Sequence, residues 1–279
     1  MISDSRNGIE IASSSGATLT GNVLYIQGIG LRVTGETTRE YDLAIDETNE
    51  LNNNPIRYVY GKDGETVTGI TSNNLYFAAC KNMRITDNTI TNGDGIQLAF
   101  VEDSLVSGNE VYRTSPVLTE HGISLYRSDG NTVTNNVLQN NRFAGMYVWL
   151  SSHNELTDNQ FLANDSGLIL AASDDNQVYN NMAFANPVGI EVRAGSTKND
   201  IARNIVTHAN TKYGIILDQA AENTVEANAI TDAETGIRLG EQGNNNTISS
   251  NTIVKSAYAL SISGSNNEIK GNLIAQNTR

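Results

Sequence analysis

A short motif of the form Gly-apolar-any-apolar recurs along almost the whole chain, and this repeat restricts the fold more than any other feature. From Gly95 onward, consecutive copies are 22 to 27 residues apart. The copies begin at Gly8, Gly95, Gly122, Gly145, Gly167, Gly189, Gly214, Gly236 and, in a late variant, Ala259. Self-similarity with a period of about 20 to 50 residues is typical of solenoids, in which each repeat packs only against its neighbours.

Each repeat is expected to supply short β-strands. Within the motif, apolar residues alternate with polar ones, which is the period of a strand, and the helical i, i+3, i+4 spacing is absent. Stacked as coils of one parallel solenoid, the repeats bury a column of aliphatic residues that no repeat could bury alone. This column comprises Ile96, Ile123, Met146, Leu168, Ile190, Ile215 and Ile237.

Asparagine occurs 37 times in 279 residues, and its positions follow the same repeat. Asn tolerates the left-handed conformation of a sharp turn, and stacked amides can hydrogen-bond along a solenoid axis. Asn181 and Asn204 are therefore predicted to occupy the same turn of successive coils, with their side chains in contact. The first Asn column comprises Asn22, Asn88, Asn109, Asn136, Asn159, Asn181, Asn204, Asn228, Asn251 and Asn272, and the second comprises Asn131, Asn154, Asn176, Asn199, Asn223, Asn246 and Asn267.

The predicted fold is all-β: a single-stranded, right-handed parallel β-helix of about ten coils, spanning residues 1–279 as one domain. Residues 34–74 contain no clear copy of the motif and are predicted to form an irregular insertion. Within this insertion, Pro55–Tyr60 and Glu65–Val67 flank an Asp63-Gly64 turn. That pattern predicts a β-hairpin.

The composition excludes several classes of partner and site. Eighteen Lys and Arg residues against 31 Asp and Glu give a net charge of -13, which repels phosphate backbones, so no nucleic-acid partner is expected. No apolar run reaches the roughly 18 residues of a transmembrane helix, so no membrane insertion is expected. The only cysteine, Cys80, lies in a strand-like run and is expected to fill space in the core.

Two repeats carry a resemblance to a known family. Residues 129–136 (DGNTVTNN) and 245–251 (NNTISSN) resemble the NosD-type right-handed β-helix repeats of the pectin-lyase-like superfamily. These are also described as carbohydrate-binding and sugar-hydrolase repeats, and the resemblance covers nearly the whole chain. It implies a polysaccharide partner and an extracellular, cell-surface or periplasmic location.

The resemblance also introduces copper, because NosD-type proteins are named for periplasmic copper handling. Copper sites use Cys, Met or clustered His. Here His121, His153 and His208 fall in separate repeats. We therefore expect no metal site and no cofactor. No pectate-lyase calcium signature can be matched residue by residue, and the sequence does not decide whether calcium is required.

Three aromatic residues are predicted to share one outward face of two adjacent coils. Strand alternation points Tyr147 and Trp149 outward from one strand, and it places Tyr126 beneath Trp149 on the preceding coil. Flat exposed rings suit the apolar faces of sugars, so Tyr126, Tyr147 and Trp149 are candidate substrate-binding residues. Alternatively, the rings form a cross-strand ladder that only stabilises neighbouring coils.

Catalytic candidates lie around this face and further along the solenoid. For a lyase or epimerase, Arg127 or Arg142 would neutralise a sugar carboxylate, and His121 or Tyr147 would act as the base. For a glycoside hydrolase, Glu191 and Asp218 on successive coils would form the carboxylate pair. Each of these residues also fits a surface contact, and an ion pair of Arg193 with Asp218 is the simpler account of the second set.

The sequence thus predicts a β-helix module of an exported or cell-surface protein that binds polysaccharide through the Tyr126/Tyr147/Trp149 face. One alternative is an enzyme on the same face: a polysaccharide lyase, C5-epimerase or glycoside hydrolase. A second alternative is a structural module of a surface layer. Further domains of a longer parent chain, or end-to-end stacking of copies, are expected to cover the open coils at the ends.

Overall fold

The computed structural model describes residues 1–3, 5, 7–26, 28–113 and 121–278, except for the side chains of 208–210. In this part of the chain almost all regular structure is short strands, together with one 3-10 helix at Thr38–Tyr41. None of the described helical segments has the length or hydropathy needed to cross a membrane. The fold is therefore all-β, as predicted.

The N-terminal coils contain eight short strands. The strands are β1 (Ile2–Ser3), β2 (Ile9–Ala12), β3 (Thr18–Leu19), β4 (Val23–Tyr25), β5 (Leu31–Thr34), β6 (Ala44–Ile45), β7 (Glu50–Leu51) and β8 (Asn54–Pro55). Parallel pairing joins β1 to β4 and β4 to β7, so Ile2, Leu24 and Leu51 stack in register. β2 pairs with β5 and β3 with β6 in the same parallel sense.

The regular coils follow from β9 onward. The strands are β9 (Tyr58–Tyr60), β10 (Thr66–Thr68), β11 (Thr71–Ala78), β12 (Arg84–Thr86), β13 (Thr89–Ala99), β14 (Leu105–Ser107), β15 (Glu110–Tyr112), β16 (His121–Tyr126), β17 (Thr132–Thr134), β18 (Val137–Gln139), β19 (Ala144–Trp149), β20 (Glu155–Thr157), β21 (Gln160–Leu162), β22 (Ser166–Ala171), β23 (Gln177–Tyr179), β24 (Met182–Phe184), β25 (Val188–Arg193), β26 (Asp200–Ala202), β27 (Ile205–Asp218), β28 (Thr224–Glu226), β29 (Ala229–Leu239), β30 (Thr247–Ser249), β31 (Thr252–Val254), β32 (Tyr258–Ile262), β33 (Glu268–Lys270) and β34 (Leu273–Ala275). One sheet takes one strand from each coil and has ten strands, from β10 to β33. The predicted parallel β-helix is thereby confirmed, and these ten coils together with the N-terminal ones exceed the predicted total of about ten.

The apolar column predicted from the repeat forms the core of these coils. Each of its seven residues is at most 1% exposed, and Ile96, Ile123 and Met146 are cross-strand partners on successive coils. Small residues at the start of the motif let the coils approach closely. At Gly167 an added Cβ would lie 2.4 Å from the carbonyl oxygen of Gly189 on the next coil.

The hairpin predicted at Pro55–Val67 is wrong. β9 pairs in parallel with β11, and β10 pairs in parallel with β12, so the two segments belong to different sheets of regular coils. Stacking on the next coil satisfies the backbone of both strands, whereas a hairpin would leave that coil without a partner. The antiparallel pair lies earlier, between β7 and β8, where Asn52 and Asn53 both have positive φ and form a two-residue turn.

The Asn columns form buried ladders, and the predicted contact between Asn181 and Asn204 is confirmed. The backbone N–H and the Nδ2 of Asn181 donate to Oδ1 of Asn204 at 2.9 and 3.0 Å. Nδ2 also donates to the carbonyl oxygen of Leu156 at 2.8 Å. The turn explanation was misplaced by one residue: the left-handed residues are those before the ladder, such as Asn180 and Arg203, at φ of 56° and 57°.

The N-terminal coils also pack sideways against the outer face of the regular coils. Their core includes Leu24, Leu31 and Leu51, and it contacts the outward ring of Tyr76 on β11. This sideways packing was not predicted from the sequence. It places the segment after β5 opposite the outward side chains of β13, β16 and β19.

Candidate functional site

A cleft of about 290 Å³ separates these two parts of the chain. One wall comes from residues 29–36 and Tyr41 of the N-terminal coils. The other wall comes from outward side chains of the regular coils, including Gln97, Ser124, Tyr126 and Tyr147. Its volume is at the lower end of the range for small-molecule sites, and its lining combines aromatic rings with a few polar groups.

Asp94 is buried between the two walls and joins them by hydrogen bonds. Its carboxylate accepts hydrogen bonds from the backbone N–H groups of Gly30 and Leu31 at 2.8 and 2.9 Å, and it also bonds the hydroxyl of Tyr76. Burial raises the pKa of Asp94, while these donors and the nearby charge of Arg113 act in the opposite direction. The carboxylate thereby fixes β5 at a set distance from β11 and β13.

An aromatic row lines the open side of the cleft. The rings of Tyr126 and Trp149 lie 4.9 Å apart at an angle of 37°. Phe100 packs edge-on against Tyr126 at 5.7 Å, and Tyr41 packs edge-on against Phe100 at 5.6 Å. Trp149 lies at the outer end of this row and is 42% exposed. The structure therefore brings Tyr126 and Trp149 together as the sequence predicted.

His121 and Tyr147 form a second aromatic pair inside the cleft. Their rings stack with centroids 4.5 Å apart and an interplanar angle of 13°, and Phe143 meets His121 edge-on at 5.2 Å. Burial, together with the positive charges of Arg193 and Arg32, lowers the pKa of His121 to about 3. The imidazole is therefore neutral at physiological pH.

The two arginine candidates take different positions. Arg127 lies at the rim of the cleft, where it bonds Glu36 across the opening at 2.5 Å and its Nε donates to the Tyr126 hydroxyl at 3.0 Å. It therefore ties the walls together at the opening. Arg142 is exposed and does not line the cleft.

Glu191 and Asp218 lie outside the cleft. The carboxylate of Glu191 forms an ion pair with Arg193 on the same strand at 3.1 Å, and Arg193 is the cross-strand neighbour of Asp218. The structure does not bring the two carboxylates together with the aromatic row. Arg193 thus pairs with Glu191, where the sequence had suggested a pair with Asp218.

Sequence reasoning missed one wall of the cleft entirely. Arg32, Val33 and Glu36 face the aromatic row, but nothing in their spacing indicates that the N-terminal coils pack sideways. Two positions on the outward face are also buried: Ile169 is 1% exposed beside Tyr147, and Ile216 is 8% exposed. Their apolar character was the available signal that this face is covered in part.

A family model described as periplasmic copper-binding protein (NosD) matches residues 41–211 and 194–279. The chain belongs to the NosD family. A comparison with curated proteins gives no match.

Among solved structures, the NosD-family chain is similar to DFA-IIIase from Arthrobacter chlorophenolicus A6, crystallised as a mutant in complex with DFA-III. That likeness has a TM-score of 0.60 at 13% identity and covers 98% of this chain and 89% of that one. The mannuronan C-5 epimerase AlgE6 A-module of Azotobacter vinelandii gives a TM-score of 0.43 at 14% identity, covering 96% and 89%. The alginate lyase of Paenibacillus sp. str. FPU-7 gives 0.44 at 12%, covering 75% and 97%. The first likeness supports the β-helix fold, and the other two support no further inference.

The family's description names copper, but the described side chains do not fit a copper centre. No group of three or more His, Cys, Asp or Glu residues converges in the part of the chain that the structure describes. Cys80 is buried, and burial raises the pKa of its thiol, which disfavours the thiolate that binds metals. Met83 and Met146 are core residues of the coils.

Proposed function

We propose that the cleft binds a saccharide and that Tyr126, Tyr147 and Trp149 form its contact surface. The observation that carries the proposal is the half-exposed Trp149, which lies beside Tyr126 at the opening of a cleft. Contact between a large apolar ring and water is unfavourable, so a ligand that covers the ring gains binding free energy. A sugar ring offers a flat apolar face of that kind together with hydroxyl groups.

The opposite wall supports the same assignment. Arg32 and Glu36 lie across from the rings, and Gln97 and Ser124 belong to the same wall as the rings. Such groups donate and accept hydrogen bonds, so they can fix the hydroxyl groups of a ring that stacks on the aromatic row. We infer, from the family description, that the protein is exported to the periplasm or the cell surface.

A second candidate function is catalysis on the bound saccharide as a lyase, epimerase or hydrolase. The observation behind it is the stacked pair of His121 and Tyr147 inside the cleft, because both side chains are of types that act as general acids and bases. It ranks second because a pKa of about 3 makes the His121 imidazole a weak base at neutral pH. Assays for new reducing ends, for unsaturated products and, by proton NMR, for an inverted ring carbon, run on every saccharide that binds, separate an enzyme from a binding module. Binding without any of these three products supports the module.

The test is binding of a panel of tetrasaccharides of glucose, mannose, galactose and mannuronic acid, measured by calorimetry. Trp149→Ala is compared with Phe184→Ala, because Phe184 has a similar exposure of 43% but lies on β24, away from the cleft. We expect Trp149→Ala to weaken binding of the best tetrasaccharide about 30-fold, the effect of a strong aromatic anchor. Phe184→Ala should leave the affinity unchanged.

The proposal fails on either of two results. No tetrasaccharide of the panel binds at millimolar concentration, or Trp149→Ala binds as tightly as the unmodified protein. Melting temperatures of both variants identify any loss of affinity that comes from unfolding. If Trp149→Ala melts early and still binds fully, the aromatic row is only a ladder that stabilises the coils.

A further inference from the structure

An ion pair lies across the opening of the cleft, beside the proposed contact surface. The guanidinium of Arg127 bonds the carboxylate of Glu36 on the opposite wall at 2.5 Å. Its Nε also donates to the hydroxyl of Tyr126 at 3.0 Å, and its Cζ lies 5.5 Å from the centre of that ring. One arginine therefore joins the two walls and occupies the hydroxyl end of a ring that a saccharide is proposed to cover.

Two further rings contact Tyr126, and they differ from Arg127 in how easily they can move. Trp149 lies 4.9 Å from Tyr126 at an angle of 37°, and Phe100 packs edge-on against it at 5.7 Å. Both rings belong to the aromatic row. Arg127 is a long side chain that is 37% exposed. Rotation of Arg127 therefore frees the hydroxyl end of Tyr126 for a ligand without disturbing the packing of the row.

Hydrogen bonds hold the backbone on both sides of this ion pair. The carboxylate of Glu40 accepts the backbone N–H groups of Glu36 and Thr37 at 2.7 and 2.9 Å. On the other wall, the backbone N–H of Arg127 donates to the carbonyl oxygen of Trp149 in the next coil at 3.2 Å. The ion pair can therefore open by side-chain rotation alone, which is fast for exposed residues, while the walls keep their positions.

We propose that the ion pair of Arg127 and Glu36 is a clasp that must open before a saccharide can cover Tyr126 and Trp149. This proposal rests on the proposed function and adds a regulation of the same site. The two side chains are 37% and 71% exposed, and an exposed ion pair shifts an equilibrium by up to about fivefold. The clasp is thus weak enough to open in solution, and a saccharide that binds only the open form loses apparent affinity in proportion to the closed fraction.

The variant Glu36→Gln removes the charge of the clasp and keeps an amide that can bond sugar hydroxyls. Glu47→Gln is the matched control. It also removes one negative charge and breaks an exposed ion pair, which joins Glu47 to Arg57 at 2.9 Å and does not line the cleft. Association and dissociation of the tetrasaccharide that binds best are followed by stopped-flow fluorescence of Trp149.

The clasp predicts a change in association alone. We expect Glu36→Gln to associate about three- to fivefold faster than Glu47→Gln, to dissociate at the same rate and to bind more tightly by the same factor. Most substitutions that alter affinity act on dissociation, so a change confined to association is diagnostic of a gate. Equal association rates of the two variants at low salt overturn the inference. So does faster dissociation of Glu36→Gln, which would show that the ion pair closes over the bound saccharide.

Ionic strength supplies a second readout, because salt screens an exposed ion pair. Between about 0.01 and about 1 M salt the Debye length falls from about 30 to about 3 Å, so the ratio of the two association rate constants should fall towards one. A ratio that does not change with salt overturns the inference. If Trp149→Ala weakens binding while Glu36→Gln and Glu47→Gln behave alike, this inference fails and the proposed function stands.

Discussion

The Asn ladder should make a large contribution to stability, and Asn181→Ala tests it on one coil. In the folded chain, Oδ1 of Asn181 accepts the backbone N–H of Asn159 at 2.9 Å and its Nδ2 at 3.1 Å. Nδ2 of Asn181 donates to Asn204 and to the Leu156 carbonyl oxygen. Alanine removes all four bonds, and it leaves the buried N–H of Asn159 without its acceptor.

The cost follows from that inventory. An orphaned buried donor costs about 1–3 kcal/mol, and each remaining bond contributes about 1 kcal/mol net. We therefore expect Asn181→Ala to lower the free energy of unfolding by about 4–6 kcal/mol, which exceeds the effect of most single substitutions. Neighbouring rungs lie within the same network, so effects of two such substitutions should not add.

The assay is urea unfolding followed by circular dichroism, with the slope of the transition checked for each variant. Gln177→Ala is the matched control, because Gln177 is an exposed amide side chain on the same coil. It should change the free energy of unfolding by no more than about 0.5 kcal/mol. An Asn181→Ala variant within about 1 kcal/mol of the unmodified protein, with an unchanged slope, would refute the ladder as a source of stability.

Three further predictions follow from the core and the cleft. The pKa of His121 falls from 6.5 to about 3 on folding, so between these pH values the unfolded chain binds a proton that the folded chain does not. The free energy of unfolding should therefore fall as the pH drops from 6.5 to 3, and it should fall less steeply in His121→Phe. Melting curves recorded across this pH range measure both slopes. Equal pH dependence in both proteins would contradict this assignment. Gly167→Ala places a Cβ 2.4 Å from a carbonyl oxygen, so it should cost about 1–3 kcal/mol in urea unfolding, and a neutral result would contradict the close stacking. In a calorimetric titration copper should bind weakly and with no defined stoichiometry. One tight site that depends on His121 or Met146 would contradict that expectation.

Most of the regular coils could be predicted because their determinants repeat. Each copy of the motif places an aliphatic residue and an Asn at nearly fixed offsets, so every copy independently indicates the same alignment of the coils. One local explanation still failed. The Asn residues were assigned to left-handed turns, whereas Asn180 and Arg203 adopt that conformation and the ladder Asn residues supply buried hydrogen bonds.

The cleft could be predicted only in part, because its second wall depends on contacts between distant, non-repeated residues. Asp94 bonds Gly30 and Leu31 across more than 60 positions of sequence, and no periodicity indicates such a contact. The local Asp63-Gly64 turn signal also led to a wrong prediction. Each of the two flanking strands forms its backbone hydrogen bonds with a strand of the next coil, and the two strands do not pair with each other.

Strand alternation alone gave the neighbouring positions of Tyr126 and Trp149. It did not indicate that Tyr41 and Phe100 extend this row, or that Tyr147 stacks on His121 instead of joining it.

The most direct test of the saccharide site uses the protein's own fluorescence. Trp149 is the only tryptophan, and it lies at the opening of the cleft, so its emission reports on that site alone. Titration with the tetrasaccharide that binds best by calorimetry should shift this emission to shorter wavelength and saturate at the calorimetric Kd. Binding in the calorimeter with no change in Trp149 emission would place the saccharide elsewhere and contradict the account.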